Sequence, residues 1–327
     1  MKKHNIERLV LEIFGGCNYA CYMCPQADNS RQQPFLKSMP FGLFEDILDD
    51  AKQYGVEIVN LDGSGEALLN KNIIKYIDAV ARRGMKPVIY SNGSLFRNKL
   101  MHDIFDAGIS LFRISIIGYN RELYKQSMGI DGFDVVLDNT ARALDYLATH
   151  NYDATLSTYH LTFPENSVQY DIEQYKINVI NKLGVEAEIW KPHNWAGNIE
   201  LNTRTGIATT CGRPFAPDLT VRAGGLGKNY GAVVPCCQTM GASESDSVLG
   251  HLNTHTISEV LESTEYQNLL QAHRTDDWSL APYCEHCDFR IQDDDVLLYT
   301  NNKDRIKTDN MRLTSFNLND FKSNHKK

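Results

Sequence analysis

Residues 15–25 read GGCNYACYMCP, and three of these positions, Cys17, Cys21 and Cys24, form a CxxxCxxC array. The array follows directly on a strand-like run that includes Val10, Glu12 and Phe14. Three thiols therefore share one tight loop at the end of a strand. Three thiolates so placed can hold three irons of a 4Fe–4S cube and leave the fourth iron open to a small molecule. A fourth cysteine nearby would close the site, but the following 186 residues contain none.

Beyond this loop, apolar and β-branched runs alternate with helical patterns as far as residue 191. Phe44, Ile47, Leu48 and Ala51 recur at helical spacing until Gly55 stops the helix, and VEIVNLD (56–62) then reads as a strand. A helix through Ile73, Ile77, Val80 and Ala81 leads past Gly84 to the strand 86–91, and a helix over 95–105 leads past Gly108 to the strand 109–116. Val136, Leu137, Thr140, Leu144 and Leu147 mark a helix over 133–147 before the strand 153–160; a helix over 166–183 precedes the strand 185–191. Such alternation predicts a parallel sheet with helical crossovers, either doubly wound and open or curled into a barrel.

After Pro192 the rhythm breaks. Residues 193–235 are rich in Asn, Gly and Thr, with short strands predicted at 219–223 and 230–234 and a helix at 257–272, so a domain boundary is placed at 192. Cys211, Cys236, Cys237, Cys284 and Cys287 all lie beyond it. The CxxC pair, Cys211 and one of the adjacent pair give four soft ligands, enough for a closed 4Fe–4S cluster or a tetrahedral zinc site. One thiol is left over, because neighbouring residues of an extended hairpin point to opposite faces.

The 327 residues include 33 Lys and Arg against 41 Asp and Glu, yet residues 302–327 alone hold seven of the former and three of the latter. The body is acidic and only the tail, 301–327, is basic, which argues against a broad polyanion-binding surface. No apolar run approaches the roughly 18 residues that cross a bilayer, and Glu7 and Glu12 stand where a signal peptide would be apolar. A cytoplasmic protein is expected, and in that reducing compartment eight cysteines are not a disulfide framework.

The CxxxCxxC loop resembles the signature of the radical S-adenosylmethionine (SAM) superfamily. The second cysteine group resembles the SPASM or shortened twitch extension that holds an auxiliary cluster, and the two likenesses span about residues 8–191 and 207–290. The resemblance implies a partial (β/α)6 barrel related to the TIM barrel, with a small C-terminal cluster-binding extension over 193–300. It also implies an open iron that binds SAM and reductive cleavage of SAM to a 5′-deoxyadenosyl radical, which takes a hydrogen atom from the substrate. Met23 stands where the family usually has an aromatic residue, with Tyr22 one position earlier. Gly63, Ser64, Gly65 and Glu66 resemble the glycine-rich motif that holds the SAM amino end; glycine permits close backbone approach and a carboxylate suits an ammonium group. Ser91, Asn92 and Gly93 resemble the family's SNG segment, and Ser115 corresponds to the polar residue facing the SAM ribose. All follow strand ends that converge on one mouth in a barrel.

The fifth and sixth strands are expected to supply the substrate side of that mouth. Tyr159 and His160 end the fifth, while Lys191, His193, Asn194 and Trp195 follow the sixth. KPHNWAG resembles a segment of SPASM members that act on sugars or other small polar metabolites, which makes Trp195 a stacking face; packing at the domain junction is the plain alternative. CGRPF (211–215), VVPCC (233–237) and GHLNTHTISEVLES (250–263) resemble the auxiliary segment and imply a 4Fe–4S cluster on Cys211, Cys236, Cys284 and Cys287, with zinc as the alternative. Cys237 is then a hydrogen-atom donor, as in family epimerases, or a small buried hydrophobe. A dehydrogenase needs a base instead, for which His160, His193 and Lys191 are candidates. A small polar metabolite or a peptide is the expected substrate, the peptide less favoured because only about seven residues precede the first strand. A flavodoxin or ferredoxin is the implied electron donor. A non-catalytic iron–sulfur or zinc scaffold and an RNA-modifying radical SAM enzyme are the alternatives, the latter opposed by the acidic body.

Overall fold

Strands β1 (Arg8–Leu11), β2 (Ile58–Asn60), β3 (Lys86–Ser91), β4 (Leu111–Ser115), β5 (Thr155–Leu161) and β6 (Glu186–Trp190) pair in parallel in unbroken chain order. Right-handed crossovers between strands laid down in order keep every helix on one side, whereas a doubly wound sheet reverses its order midway. The computed structural model, which describes residues 5–27, 37–201, 206–224, 229–239, 247–291 and 296–302, therefore decides for the curled sheet.

The sheet does not close on itself. Strand β7 (Asp218–Gly224) takes the free edge of β1 in parallel, and the antiparallel β8 (Tyr230–Val234) and β9 (Gly250–His251) continue from it. At the other edge, β10 (Leu297–Thr300) runs antiparallel to β6. The strands after residue 192 thus extend the same sheet at both edges. From residue 303 onward the basic tail lies outside the described residues.

The crossover segments carry α1 (Phe41–Ala51), α2 (Ile73–Ala81), α3 (Asn98–Asp106), α4 (Arg121–Met128), α5 (Phe133–Thr149) and α6 (Val168–Tyr175), which runs on through a π-helical turn at Lys176–Ile180. Beyond the barrel lie α7 (Ile257–Leu261) and α8 (Thr264–Thr275). Apolar stripes face the sheet: Phe44, Ile47 and Leu48 of α1 and Tyr76, Ile77 and Val80 of α2 are buried, with Phe44 edge-on to Tyr76 at 4.7 Å. Every second strand residue, among them Leu9, Val59, Ile89, Phe112 and Ile189, is buried on that side.

The intervening residues point into the curl and are largely polar. Asn60, Tyr90, Arg113, Ser157 and Glu188 line a cavity of about 400 Å³ at the N-terminal ends of the strands, away from the cysteine loop. Arg113 and Glu188 form a buried bidentate pair, with Nη1 to Oε2 at 3.0 Å and Nη2 to Oε1 at 3.1 Å. Tyr90 stacks under the guanidinium at 4.6 Å, and Trp190 Nε1 donates to Glu188 at 2.9 Å. Each charge is tolerable here only because the other answers it. Glu188→Ala is expected to cost about 3–5 kcal/mol in urea unfolding, whereas the double change Arg113→Met with Glu188→Leu costs much less than the single one.

Candidate active site

The loop carrying Cys17, Cys21 and Cys24 leaves β1 and is pinned on three sides. From α4, the Ser127 carbonyl accepts from the Tyr22 amide at 3.1 Å, Met128 Sδ lies 3.8 Å from Cys21 Sγ, and Tyr124 donates its hydroxyl to Tyr19 at 3.3 Å. At the exit of β3, Asn92 Nδ2 donates to Asn18 at 2.9 Å and Asn18 Nδ2 donates to Ser94 at 3.1 Å. After β6, Trp195 Nε1 donates to the Met23 carbonyl at 2.6 Å, so the indole reaches between the second and third cysteines. Amides of Tyr19 and Gln26 donate to the sulfurs of Cys17 (3.4 Å) and Cys24 (3.5 Å).

Burial pushes the Cys17 thiol up to about 12, with the negative charges of Glu66 and Cys24 adding to it. Burial likewise raises Cys21, helped by Cys24 and Cys17, and raises Cys24. The three thiols thus disfavour one another's ionisation, and the charges acting on Cys17 and Cys21 are all negative. A donor set of this kind fits a group that brings its own positive charge, as iron does.

The glycine-rich turn meets the cysteine loop backbone to backbone. A Cβ on Gly65 would overlap Gly15 and Gly16, and one on Gly63 would overlap the Glu12 side chain. Glu66 donates its amide to the Gly16 carbonyl at 2.8 Å. Its buried carboxylate accepts from Ser91 Oγ (2.8 Å), the Asn92 amide (2.8 Å) and the Leu68 amide (3.0 Å), and burial holds its pKa above the usual range despite these bonds. Glu66, expected as a partner of the SAM ammonium group, thus also ties the exits of β2 and β3 together. Ser115 ends β4 in register with Tyr159, on the inner side of the curl.

The auxiliary cysteines gather at the far end of the extension. Burial raises the Cys284 thiol first, followed by charge at Cys236, Cys287 and Cys211; Cys287 is raised by burial and then by Cys211 and Cys236. The charge of Cys237 acts on Cys236 but is absent from the causes that raise Cys284 and Cys287, and its sulfur accepts from Arg213 Nη1 at 3.0 Å and from Gln238 Nε2 at 3.7 Å. Cys211 is oriented by His273, whose Nδ1 accepts from the Cys211 amide at 3.3 Å and bonds Thr210 at 2.8 Å; burial lowers the His273 pKa to about 4, keeping it neutral.

Two links absent from the sequence reading join the cysteine sites. Glu12 accepts from the amides of Ser64 and Ala223, the latter at 3.0 Å, and pairs with Arg222 at 3.5 Å. Arg222 Nη2 in turn donates to the carbonyls of Cys237 and Thr239, each at 2.9 Å. The second link is the segment after β6. Asn194 Nδ2 donates to the His286 carbonyl (2.8 Å), and Asn194 Oδ1 accepts from the Asp288 amide (3.1 Å), on either side of Cys287.

The substrate-side expectations divide. His160 does not reach the mouth: its side chain points to the helix layer, stacks on Tyr175 at 4.3 Å, and accepts from the Gly118 amide at 3.2 Å. Burial lowers its pKa to about 3, so the expected base is a neutral core residue. His193 is buried against Trp195 and Phe289, and the Lys191 amide donates to the Val296 carbonyl at 2.9 Å. Trp195 sits at the junction of the two cysteine sites, with a tether to Met23 that no pattern in the sequence displayed.

Comparison with known proteins bears on both halves. Residues 11–167 match the radical SAM superfamily and residues 228–288 match the iron–sulfur cluster-binding SPASM domain. The chain belongs to the radical SAM superfamily and carries a SPASM domain, which together imply SAM, its 4Fe–4S cluster and an auxiliary cluster. Over 143 residues it is 26% identical to a probable GTP 3′,8-cyclase of Saccharolobus solfataricus, covering 43% of this chain and 44% of that protein. Over 140 residues it is 31% identical to an uncharacterized protein, MJ0804, of Methanocaldococcus jannaschii, covering 42% and 44%. The match thus spans less than half the length of these curated relatives. Among solved structures, BtrN in complex with AdoMet and 2-DOIA shares the fold with TM-score 0.58 at 17% identity over 90% of this chain and 98% of that one. Streptococcus suis SuiB bound to precursor peptide SuiA gives 0.64 at 13% identity, over 87% and 70%. No helix among the described residues is long and apolar enough to cross a membrane.

Two measurements test this geometry. Losing the indole donor in Trp195→Phe removes one hydrogen bond to the Met23 carbonyl, so stability in urea unfolding is expected to fall by about 0.5–1.5 kcal/mol with the iron content unchanged. His160 is neutral in the native state down to about pH 3 but protonates near 6.5 when unfolded, so its contribution is present above pH 6.5 and lost as pH falls. Between pH 7 and 5.5, His160→Gln is expected to lose about 1.4 kcal/mol less stability than the unmodified chain in urea unfolding.

Proposed function

We propose that the chain is an oxidative radical SAM enzyme, which takes hydrogen from a small polar substrate and delivers the remaining electron to the auxiliary cluster. Residues 1–192 form the SAM-binding core in this reading, and residues 193–300 the auxiliary domain. Cys17, Cys21 and Cys24 hold the first cluster; Cys211, Cys236, Cys284 and Cys287 hold the second. When bound, the first cluster and SAM supply a carbon radical able to abstract a hydrogen atom from a C–H bond.

The protein's part is placement. Glu66 and the close approach of Gly65 to Gly15 and Gly16 shape the wall against which the SAM amino end rests. Ser91, Asn92 and Ser115 line the next strand ends. Trp195 and Met23 close the loop from the side and keep water from the reacting carbon. Lys191 and His193 follow β6 and are the candidate bases for the substrate proton, since His160 faces the helices.

The observation that carries the oxidative reading is the environment of Cys237. Its thiol accepts a hydrogen bond from Arg213 at 3.0 Å, which is poor placement for a thiol that must hand a hydrogen atom to a substrate. BtrN, which was solved with AdoMet and 2-DOIA, is matched over 98% of its length, and this favours a small molecule; a peptide is the second reading, on the likeness to SuiB bound to SuiA. A flavodoxin or ferredoxin is the proposed electron source.

Anaerobically reconstituted protein is expected to hold about eight irons and to form 5′-deoxyadenosine from SAM with dithionite. Cys17→Ala should retain about half the iron and form none. A fully loaded chain that leaves SAM intact overturns the enzymatic reading. Solvent deuterium appearing in a product of unchanged oxidation state assigns epimerisation instead.

A further inference from the structure

The auxiliary site contains a cation that the placement of SAM does not use. Arg213 stands two residues after Cys211, in a short 3-10 turn at Arg213–Phe215. Its Nη1 donates to Cys237 Sγ at 3.0 Å, its guanidinium lies over the Phe289 ring at 4.6 Å, and its Nε is buried with no hydrogen-bond partner. Among the described residues no carboxylate stands within ion-pair distance of it, though the charge of Asp218 acts on it from farther away, whereas nearby Arg222 has Glu12 at 3.5 Å. Arg290, on the other side of the cysteines, donates to the carbonyls of Thr209 and Glu285 and stacks on Trp278.

A guanidinium keeps its charge at every accessible pH, and a charge withdrawn from water needs a counter-charge. The turn sets Arg213 against sulfur: two residues from one auxiliary cysteine, bonded to the thiol of Cys237, and one residue further from Cys236. Phe289 covers the outer face of the guanidinium and limits its access to water.

We propose that Arg213 is a positioning residue for charge, which stabilises the reduced auxiliary cluster and so raises its reduction potential. This rests on the oxidative reading above. There the substrate gives up one hydrogen atom, one proton and one electron; the proton goes to the base beside β6 and the electron to the auxiliary site. No bond is made or broken at that site, and its net charge falls by one. Arg213 offers fixed positive charge where that negative charge arrives, and cluster potentials follow local charge and hydrogen bonds to sulfur.

The test is an EPR-monitored redox titration of the reconstituted full chain, with the first cluster as internal reference. Arg213→Gln is expected to lower the auxiliary midpoint and leave the first unmoved, while Arg213→Lys, which keeps the charge, stays close to the unmodified value. An auxiliary midpoint unchanged in Arg213→Gln at full iron content overturns the proposal, as does a Lys variant displaced as far as the Gln variant. If Gln loses the auxiliary iron and Lys keeps it at a near-native midpoint, the charge requirement stands; if both lose it, Arg213 is a folding residue and the proposal fails. Failure of the oxidative reading would appear separately, as deuterium return or absent SAM cleavage in the unmodified chain, without moving these midpoints.

Discussion

Glu12 and Arg222 meet in the interior with almost no exposed surface, and the two cysteine-bearing parts of the molecule are joined through them. The pairing of β7 with β1 creates the contact. Its register runs Val10 to Thr220 and Leu11 to Val221, so the next step places Glu12 beside Arg222. One end of the pair holds the Ser64 amide in the glycine-rich turn, and the other holds the carbonyls of Cys237 and Thr239. Either charge alone in this place would cost several kcal/mol. Together they fix how far the loop of Cys236 and Cys237 sits from the glycine-rich turn, and a register slip of one residue between β1 and β7 would turn one of the two side chains to the helix face, away from its partner.

A second strut runs through residues that the backbone does not favour. Trp195 and Ala196 have φ of 51° and 56°, in the left-handed region, and Gly197 follows at 84°. Side chains with a Cβ occupy that region at a cost of order 1–3 kcal/mol each, and persist there only when their surroundings over-determine them. Here the surroundings do so: Trp195 reaches the Met23 carbonyl on one side, while Asn194 clasps residues 286 and 288 on the other. The turn lets neighbouring side chains point toward different cysteine loops. Covalent continuity with β6 then anchors this strap to the barrel.

Much of the barrel was legible because its strands alternate and its helices end at glycine, and these local signals agree with the tertiary outcome. The cysteine loop, the glycine-rich turn and the SNG segment were legible for a related reason, since each follows a strand that could be placed. Helix α4 was not: RELYKQSM is polar, and its only marks are the Asn120 cap and the left-handed Gly129 after its last turn. That helix nonetheless pins Cys21 and Tyr22. Strand β10 was missed because four residues pairing antiparallel at an edge carry little periodicity. His160 was misassigned by one residue of phase, for Tyr159 and His160 end the same strand but face opposite sides, and only Tyr159 looks into the curl. Glu12, Arg222 and His273 each act through at least one partner 63 or more positions away, a separation that no local pattern encodes.

The two cysteine groups differ in the cations beside them. Negative groups surround the first: Glu66 acts on Cys17, and the neighbouring thiols act on one another. A cluster held by these thiols would resist an added electron and, once reduced, would be a strong reductant. The second group lies beside guanidinium: Arg213 bonds Cys237, Arg222 bonds the Cys237 carbonyl, and the charge of Arg290 acts to lower Cys284 against the larger effect of burial. Added negative charge is better tolerated there. In the oxidative reading proposed above, the electron released at the substrate would travel along the gradient of fixed charge that these side chains establish, while the Glu12–Arg222 pair and the Asn194–Trp195 strap hold the two ends of that gradient at a set separation.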